Sequence, residues 1–191
     1  MYTAQNFDHL LGLAGFSDVL LKNHFTLYQG YVANTNKLID KLKSFAVDNK
    51  MDTPCFTELT RRLGWEFNGL RLHEYYFANL IKGGAKLEAA SILAQKISAQ
   101  FNSFQNWEKE FRAVGAARGI GWVILYYDAL ADKFFNVWIN EHDAGHLAGA
   151  RPLLVMDVFE HAFMPDYGLK RADYIEAFFQ AIDWPKVVAR L

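Results

Sequence analysis

The sequence predicts an α+β fold: a long antiparallel helical hairpin at the N-terminus, then an α/β domain with a small three-stranded antiparallel sheet. Three observations carry this. Apolar residues recur at intervals of three and four from Phe16 to about Val47, and again through residues 55–81. Lys82-Gly83-Gly84 then punctuates the chain. Beyond it, GWVILYY (121–127) and KFFNVWI (133–139) are β-branched and aromatic, with a short polar turn between them. We expect a helical hairpin domain at 1–84 and an α/β domain at 85–191.

The first helix takes its apolar stripe from Val19, Leu20, His24, Leu27, Tyr31, Leu38 and Leu42. Residues 49–54 break it, and Thr53-Pro54 suits the start of a second helix. That helix carries Leu59, Leu63, Phe67, Leu70, His73, Phe77 and Leu80 on one stripe. Two long helices joined by a short loop form a hairpin. Residues 86–99 and 104–117 read as two shorter helices. The runs at 121–127 and 133–139 form a β-hairpin, Pro152–Asp157 a third strand, and Arg171–Leu191 returns to helical spacing. No internal repeat or low-complexity tract interrupts this order.

Composition narrows the function. The 191 residues are 52% hydrophobic and 21% charged, as in ordinary folded proteins. A formal net charge of −1 leaves no basic excess for nucleic acid. No apolar run approaches the roughly 18 residues of a membrane span. The start, MYTAQNFDHL, lacks a basic stretch followed by an apolar one, so we expect no signal peptide and a cytoplasmic location. Cys55 is the only cysteine, which excludes an internal disulfide and Cys-rich metal sites. The 16 Phe, 9 Tyr and 5 Trp imply a bulky core before any redox role.

The polar signal lies in MDVFEHAF (156–163), where Asp157, Glu160 and His161 follow the apolar run Leu153–Met156. Two ligands do not hold a metal alone. His24 and His73 each lie on the apolar stripe of one hairpin helix, where a single histidine is ordinarily a hydrogen-bonded core residue. Facing each other, they can share an ion. With Asp157 and His161 they offer three nitrogens and one oxygen, a set suited to iron, manganese or zinc. Spacing alone does not establish that these four meet. His9 reads as a surface or packing residue.

Four segments, in order, resemble the iron/manganese superoxide dismutases. MDVFEHAF is similar to that family's D-x-W-E-H-A-Y-Y signature, with Phe159 in place of the tryptophan. NHFTLYQGYVANTNKL and NGLRLHEYYFANL resemble its two helical ligand segments. RGIGWVIL and RADYIEAFFQAIDW resemble its strand and C-terminal helix. The resemblance implies metal ligands His24, His73, Asp157 and His161 around one iron or manganese ion per subunit, with iron preferred. It makes Tyr31 the guard of the substrate funnel and Trp122 an aromatic wall of the pocket. His142 falls where the family places a group that hydrogen-bonds metal-bound solvent. Another branch supplies that group as a glutamine at the position of Gly69. Glu160 matches a glutamate that pairs with the partner subunit's ligand histidine, which implies a homodimer or tetramer. Superoxide is the implied substrate. Zinc does not change oxidation state, so a dismutase needs iron or manganese.

Three departures accompany the likeness. His24 and Tyr31 are seven residues apart instead of eight, which at about 100° per residue sets them on nearly the same helix face. A residue lost from a π-bulge accounts for this, while an ungapped match puts Asn23 in the ligand slot. A histidine–tyrosine pair common at family interfaces is missing, with Leu27 or Tyr28 and Met164 at those positions. The segment between His142 and Asp157 is short, leaving His146 a competitor for the role given to His142. The alternative reading is a catalytically silent relative whose metal serves structure or interaction. Without the resemblance, Tyr31 and Trp122 would be core aromatics.

Overall fold

The computed structural model describes all 191 residues, Met1–Leu191. Helix α1 spans Asp18–Val47 and α2 spans Pro54–Ala78. Each starts where a side-chain oxygen satisfies a free backbone N–H. Ser17 accepts from Leu20, and Thr53 accepts from Phe56 with Pro54 opening the helix. Phe16, expected within α1, therefore precedes it, and its ring packs against Tyr174.

α1 is α-helical over its whole length, so seven residues make nearly two turns and His24 and Tyr31 project from one side. Its buried face differs from the expected stripe. Leu20, Leu21, His24, Phe25, Tyr28, Val32, Thr35 and Leu38 are buried, while Val19 and Leu27 are 67% and 38% exposed. Spacing of three and four admits neighbouring stripes, and packing against α2 selects the one carrying Phe25 and Tyr28.

Helices α3 (Ile92–Phe101) and α4 (Phe104–Gly115) follow. α3 starts later than the expected residue 86, because Ser91 is its cap and accepts from Ala94. The preceding chain is tied to the C-terminal tail, with Ala85 N donating to Ile182 O at 2.8 Å. Strands β1 (Gly121–Asp128), β2 (Lys133–Asn140) and β3 (Arg151–Asp157) form an antiparallel sheet ordered β2-β1-β3. Gly121 has φ +151°, and a Cβ there would meet Ile139 O at 2.0 Å, so only glycine lets β1 start against β2. The β1–β3 register sets Trp122 opposite Asp157.

A 3₁₀ turn at Glu160–Ala162 leads into α5 (Met164–Tyr167), α6 (Arg171–Gln180) and α7 (Trp184–Val188). The tail expected as one helical stretch is broken at 181–183. There Ile182 bridges to Leu80 and Asp183 caps α7 by accepting from Lys186 N. Asn79, just past α2, donates to Val155 O of β3 at 2.7 Å, and Arg190 donates to Leu153 O at 2.6 Å. These bonds fix the end of α2 against β3, and one continuous hydrophobic core runs through hairpin and sheet. No helix is long and apolar enough to cross a membrane.

Candidate metal centre

Asp157 ends β3 fully buried, and three imidazoles converge on it. His24 Nε2 and His161 Nε2 each lie 3.2 Å from Asp157 Oδ2, and His73 Nε2 lies 3.7 Å away. One potential ligand atom from each of the four lies within 4.8 Å of the others. The carboxylate is held from behind. Its Oδ1 accepts from Phe159 N at 2.8 Å, and its backbone carbonyl accepts from Tyr174 O–H at 2.6 Å.

The donor chemistry fits a cation. His73 Nδ1 lies 2.5 Å from Gly69 O, a carbonyl that can only accept, so the ring proton sits on Nδ1. The lone pair is left on Nε2, which is buried with no hydrogen-bond partner. A buried acceptor without a partner is costly, and here it points at a carboxylate and two other imidazoles. A first-row transition ion, with bonds of about 2.0–2.2 Å to such ligands, matches the set after slight closure. His24 Nδ1 is also buried without a partner, so no group in the chain fixes that ring from behind.

Burial lowers the pKa of His24, against the hydrogen bond and charge of Asp157. Burial also holds His73 well below the ordinary imidazole value, helped by neighbouring His24. Both are neutral at pH 7, the state a metal ligand needs. For Asp157, burial alone would raise the pKa. Neighbouring His161, and then His24, outweigh it, and the carboxyl is held below its usual range. The site thus presents one anionic carboxylate and the neutral His24 and His73 rings beside the His161 nitrogen.

Beside the four, Trp122, His142 and Tyr31 form a hydrogen-bonded row. The Trp122 indole N–H donates to His142 Nδ1 at 2.9 Å, and His142 Nε2 lies 2.7 Å from the Tyr31 hydroxyl. Burial depresses the His142 pKa to about 4, so the ring is neutral. With Nδ1 accepting, its one proton sits on Nε2 and is donated to Tyr31. The tyrosine oxygen accepts, and its own O–H is free to point elsewhere. Burial, then the charges of Asp157 and Glu66, push the Tyr31 pKa up to about 12. The Tyr31 ring stacks on His73 with centroids 5.2 Å apart.

Residues 89–190 match the family described as "Iron/manganese superoxide dismutases, C-terminal domain". The chain is 35% identical over 173 residues to a protein of Haloferax volcanii named superoxide dismutase (Mn) 2, covering 90% of this chain and 84% of the relative. It is 36% identical over 183 residues to superoxide dismutase (Fe) of Cupriavidus metallidurans, covering 93% and 89%. For superoxide dismutase (Fe) of Aquifex aeolicus the identity is 35% over 190 residues, covering 96% and 88%. The chain belongs to the iron/manganese superoxide dismutase family.

In this superoxide dismutase family member, all four residues expected as ligands are brought together, and Tyr31, Trp122 and His142 line one side of the cluster. His146 stands apart. Its Nδ1 lies 2.6 Å from Tyr126 Oη and its Nε2 2.9 Å from the carbonyl oxygen of His142, so it braces the His142 backbone. Glu160 is exposed at the surface turn. Of the four, His161 is the one with a half-buried side chain, 30% exposed.

Sequence reasoning missed Trp65 and Arg62. The Trp65 indole N–H donates to Glu141 Oε2 at 2.9 Å, and the ring meets the edges of Tyr31 and His142. Arg62 lies over the Trp65 ring, 3.7 Å from its centroid. A signal was present: Trp65, Gly69 and His73 recur at steps of four, which stacks them along one side of α2.

Proposed function

We propose that this protein is a superoxide dismutase that converts superoxide to oxygen and hydrogen peroxide. The observation that carries the proposal is the unpartnered Nε2 of His73, aimed into a cluster of two further imidazoles and the Asp157 carboxylate. His24, His73, Asp157 and His161 hold one iron or manganese ion per subunit. We favour iron, because His142 resembles the histidine of relatives that are often iron enzymes or use either metal. Relatives named for each ion match at similar identity. Bound there, the ion would supply reversible one-electron redox chemistry.

The protein's part is charge and protons. Asp157 contributes the single negative charge among the ligands, and imidazoles that ligate through a free nitrogen add none. The His142–Tyr31 bond orients the tyrosine so that its O–H is available for donation towards reduced substrate. The raised Tyr31 pKa keeps that proton in place at neutral pH. Trp122 fixes the tautomer of His142 on which this depends.

The proposed division is 1–84 and 85–191, with two ligands on each side of Gly84. The proposed assembly is a homodimer or tetramer, in a cytoplasmic setting, with Glu160 paired to His161 of the partner subunit. In support, His161 reaches the surface and its Nε2 faces Asp157, leaving Nδ1 for a partner group. Metal analysis with a superoxide-consumption assay tests the function. Dismutation tracking bound iron or manganese is expected. Stoichiometric metal without activity would support a silent relative and overturn the reading.

A further inference from the structure

An open cavity of about 530 Å³ lies over Tyr31 and is lined also by Asn23, Asn34, Trp65, Arg62 and Glu66. The Tyr31 ring lines it and stacks on His73. Arg62 is the only cationic side chain in that lining, and Glu66 the only anionic one. Their arrangement is asymmetric. Arg62 is 45% exposed and lies over the Trp65 ring, while the Glu66 side chain is 9% exposed. Arg62 Nε and Nη2 both donate to Glu66 Oε1, at 3.2 and 3.1 Å. Glu66 Oε2 is buried with no partner. The carboxylate thus sits beneath and the guanidinium faces solvent.

We propose that Arg62 is the residue that draws the anionic substrate into this cavity, with Glu66 setting how much of its charge is felt. The inference rests on the superoxide reading and deepens it. With a net charge of −1, the molecule as a whole does not attract an anion, so attraction depends on local placement. In that lining the guanidinium is exposed and Tyr31 only half-buried. The Trp65 ring and the Glu66 fork hold the cation in place, so it need not be ordered when substrate arrives. The buried carboxylate opposes this attraction from beneath the guanidinium. The charges therefore act with opposite signs on the same step, which a structural role would not produce.

The test measures kcat/KM for superoxide across ionic strength in Arg62→Gln, Arg62→Lys and Glu66→Gln, each loaded with metal and with its metal content determined. Arg62→Gln should lower kcat/KM about threefold at low salt, with the gap closing as salt screens the charge. Arg62→Lys loses the fork but keeps the charge and should stay near wild type. Glu66→Gln should raise kcat/KM at low salt. The affinity for azide, read from the absorption of the bound metal, should weaken by a similar factor in Arg62→Gln. Equal losses in Arg62→Gln and Arg62→Lys, or losses independent of salt, overturn the proposal. If Glu66→Gln does not fold, the two Arg62 variants decide. Wild-type protein that binds metal but does not dismute superoxide would sink the functional reading instead, and azide affinity would still test Arg62.

Discussion

The ring of Tyr31 fills the space a side chain on Gly69 would need: a Cβ there would stand 2.5 Å from Tyr31 Cδ1 and 2.7 Å from Cε1. Gly69 therefore does two things. It lets α1 and α2 approach so that Tyr31 stacks on His73, and its carbonyl fixes the His73 tautomer. A glutamine cannot reach the cluster from position 69 while Tyr31 stays in place. The side chain hydrogen-bonded to Tyr31 comes instead from the loop after β2, as His142.

Gly69→Ala tests this exclusion. Alanine gains roughly 1 kcal/mol of helix propensity over glycine, whereas overpacking costs about 1–3 kcal/mol. The blocking atoms belong to the rigid part of a stacked ring, so overpacking should win. We expect a net loss of about 1 kcal/mol in denaturant unfolding of the metal-free protein and a changed azide affinity in the loaded one. Unchanged or increased stability would show that Tyr31 moves aside easily.

Tyr31→Phe should leave the metal bound, because the ligand atoms do not include the hydroxyl. It removes the acceptor for His142 Nε2–H, and a buried donor left unpaired costs about 1–3 kcal/mol. The expected result is full metal content, lower stability and a shifted pH dependence of turnover. Loss of metal would show that Tyr31 has been given the wrong role.

The helices and the strand carrying the four expected ligand residues were legible from local geometry, while the meeting of the four came from the resemblance and not from spacing. His24 and Tyr31 lie nearly two turns apart on one helix, and Asp157 and His161 flank a single turn. What was not legible came from contacts distant along the chain. The start of α3 is decided by Ala85 bonding to Ile182, which periodicity cannot register. The choice between His142 and His146 depends on which ring the 140–146 loop turns inward. Trp122 and Tyr126, on a different strand, each take one of them. Trp65 shares its four-residue step with Gly69 and His73, but no pattern along α2 marks Arg62 as lining the cavity over Tyr31.

Acid should destabilise the metal-free protein earlier than carboxylate titration explains. His24, His73 and His142 have folded-state pKa values below the unfolded value of about 6.5, and that of His142 is about 4. The unfolded chain then binds more protons between those values, so stability falls as pH drops from about 6.5 to 4. Asp157, held below its usual range, adds a loss only under about pH 4. The thermal midpoint of the metal-free protein, followed against pH, should begin to fall near 6.5. His142→Gln should remove part of that slope. A midpoint flat down to pH 4.5 would contradict the neutral, buried histidines.

His73→Ala addresses the centre itself. The substitution removes the Nε2 that lacks a partner and leaves Gly69 O without its donor. It also leaves three ligands, one of them reaching the surface. Metal-free His73→Ala should remain folded. The imidazole contributes no apolar burial comparable to Phe77 beside it, and its unpartnered nitrogen offsets part of what its packing contributes. The metal-dependent increase in thermal midpoint should disappear, and metal content should fall at least tenfold under iron or manganese supplementation. A variant that keeps a full complement of metal would mean that His24, Asp157 and His161 suffice. The orphaned nitrogen of His73 would then be a packing cost and not a ligand.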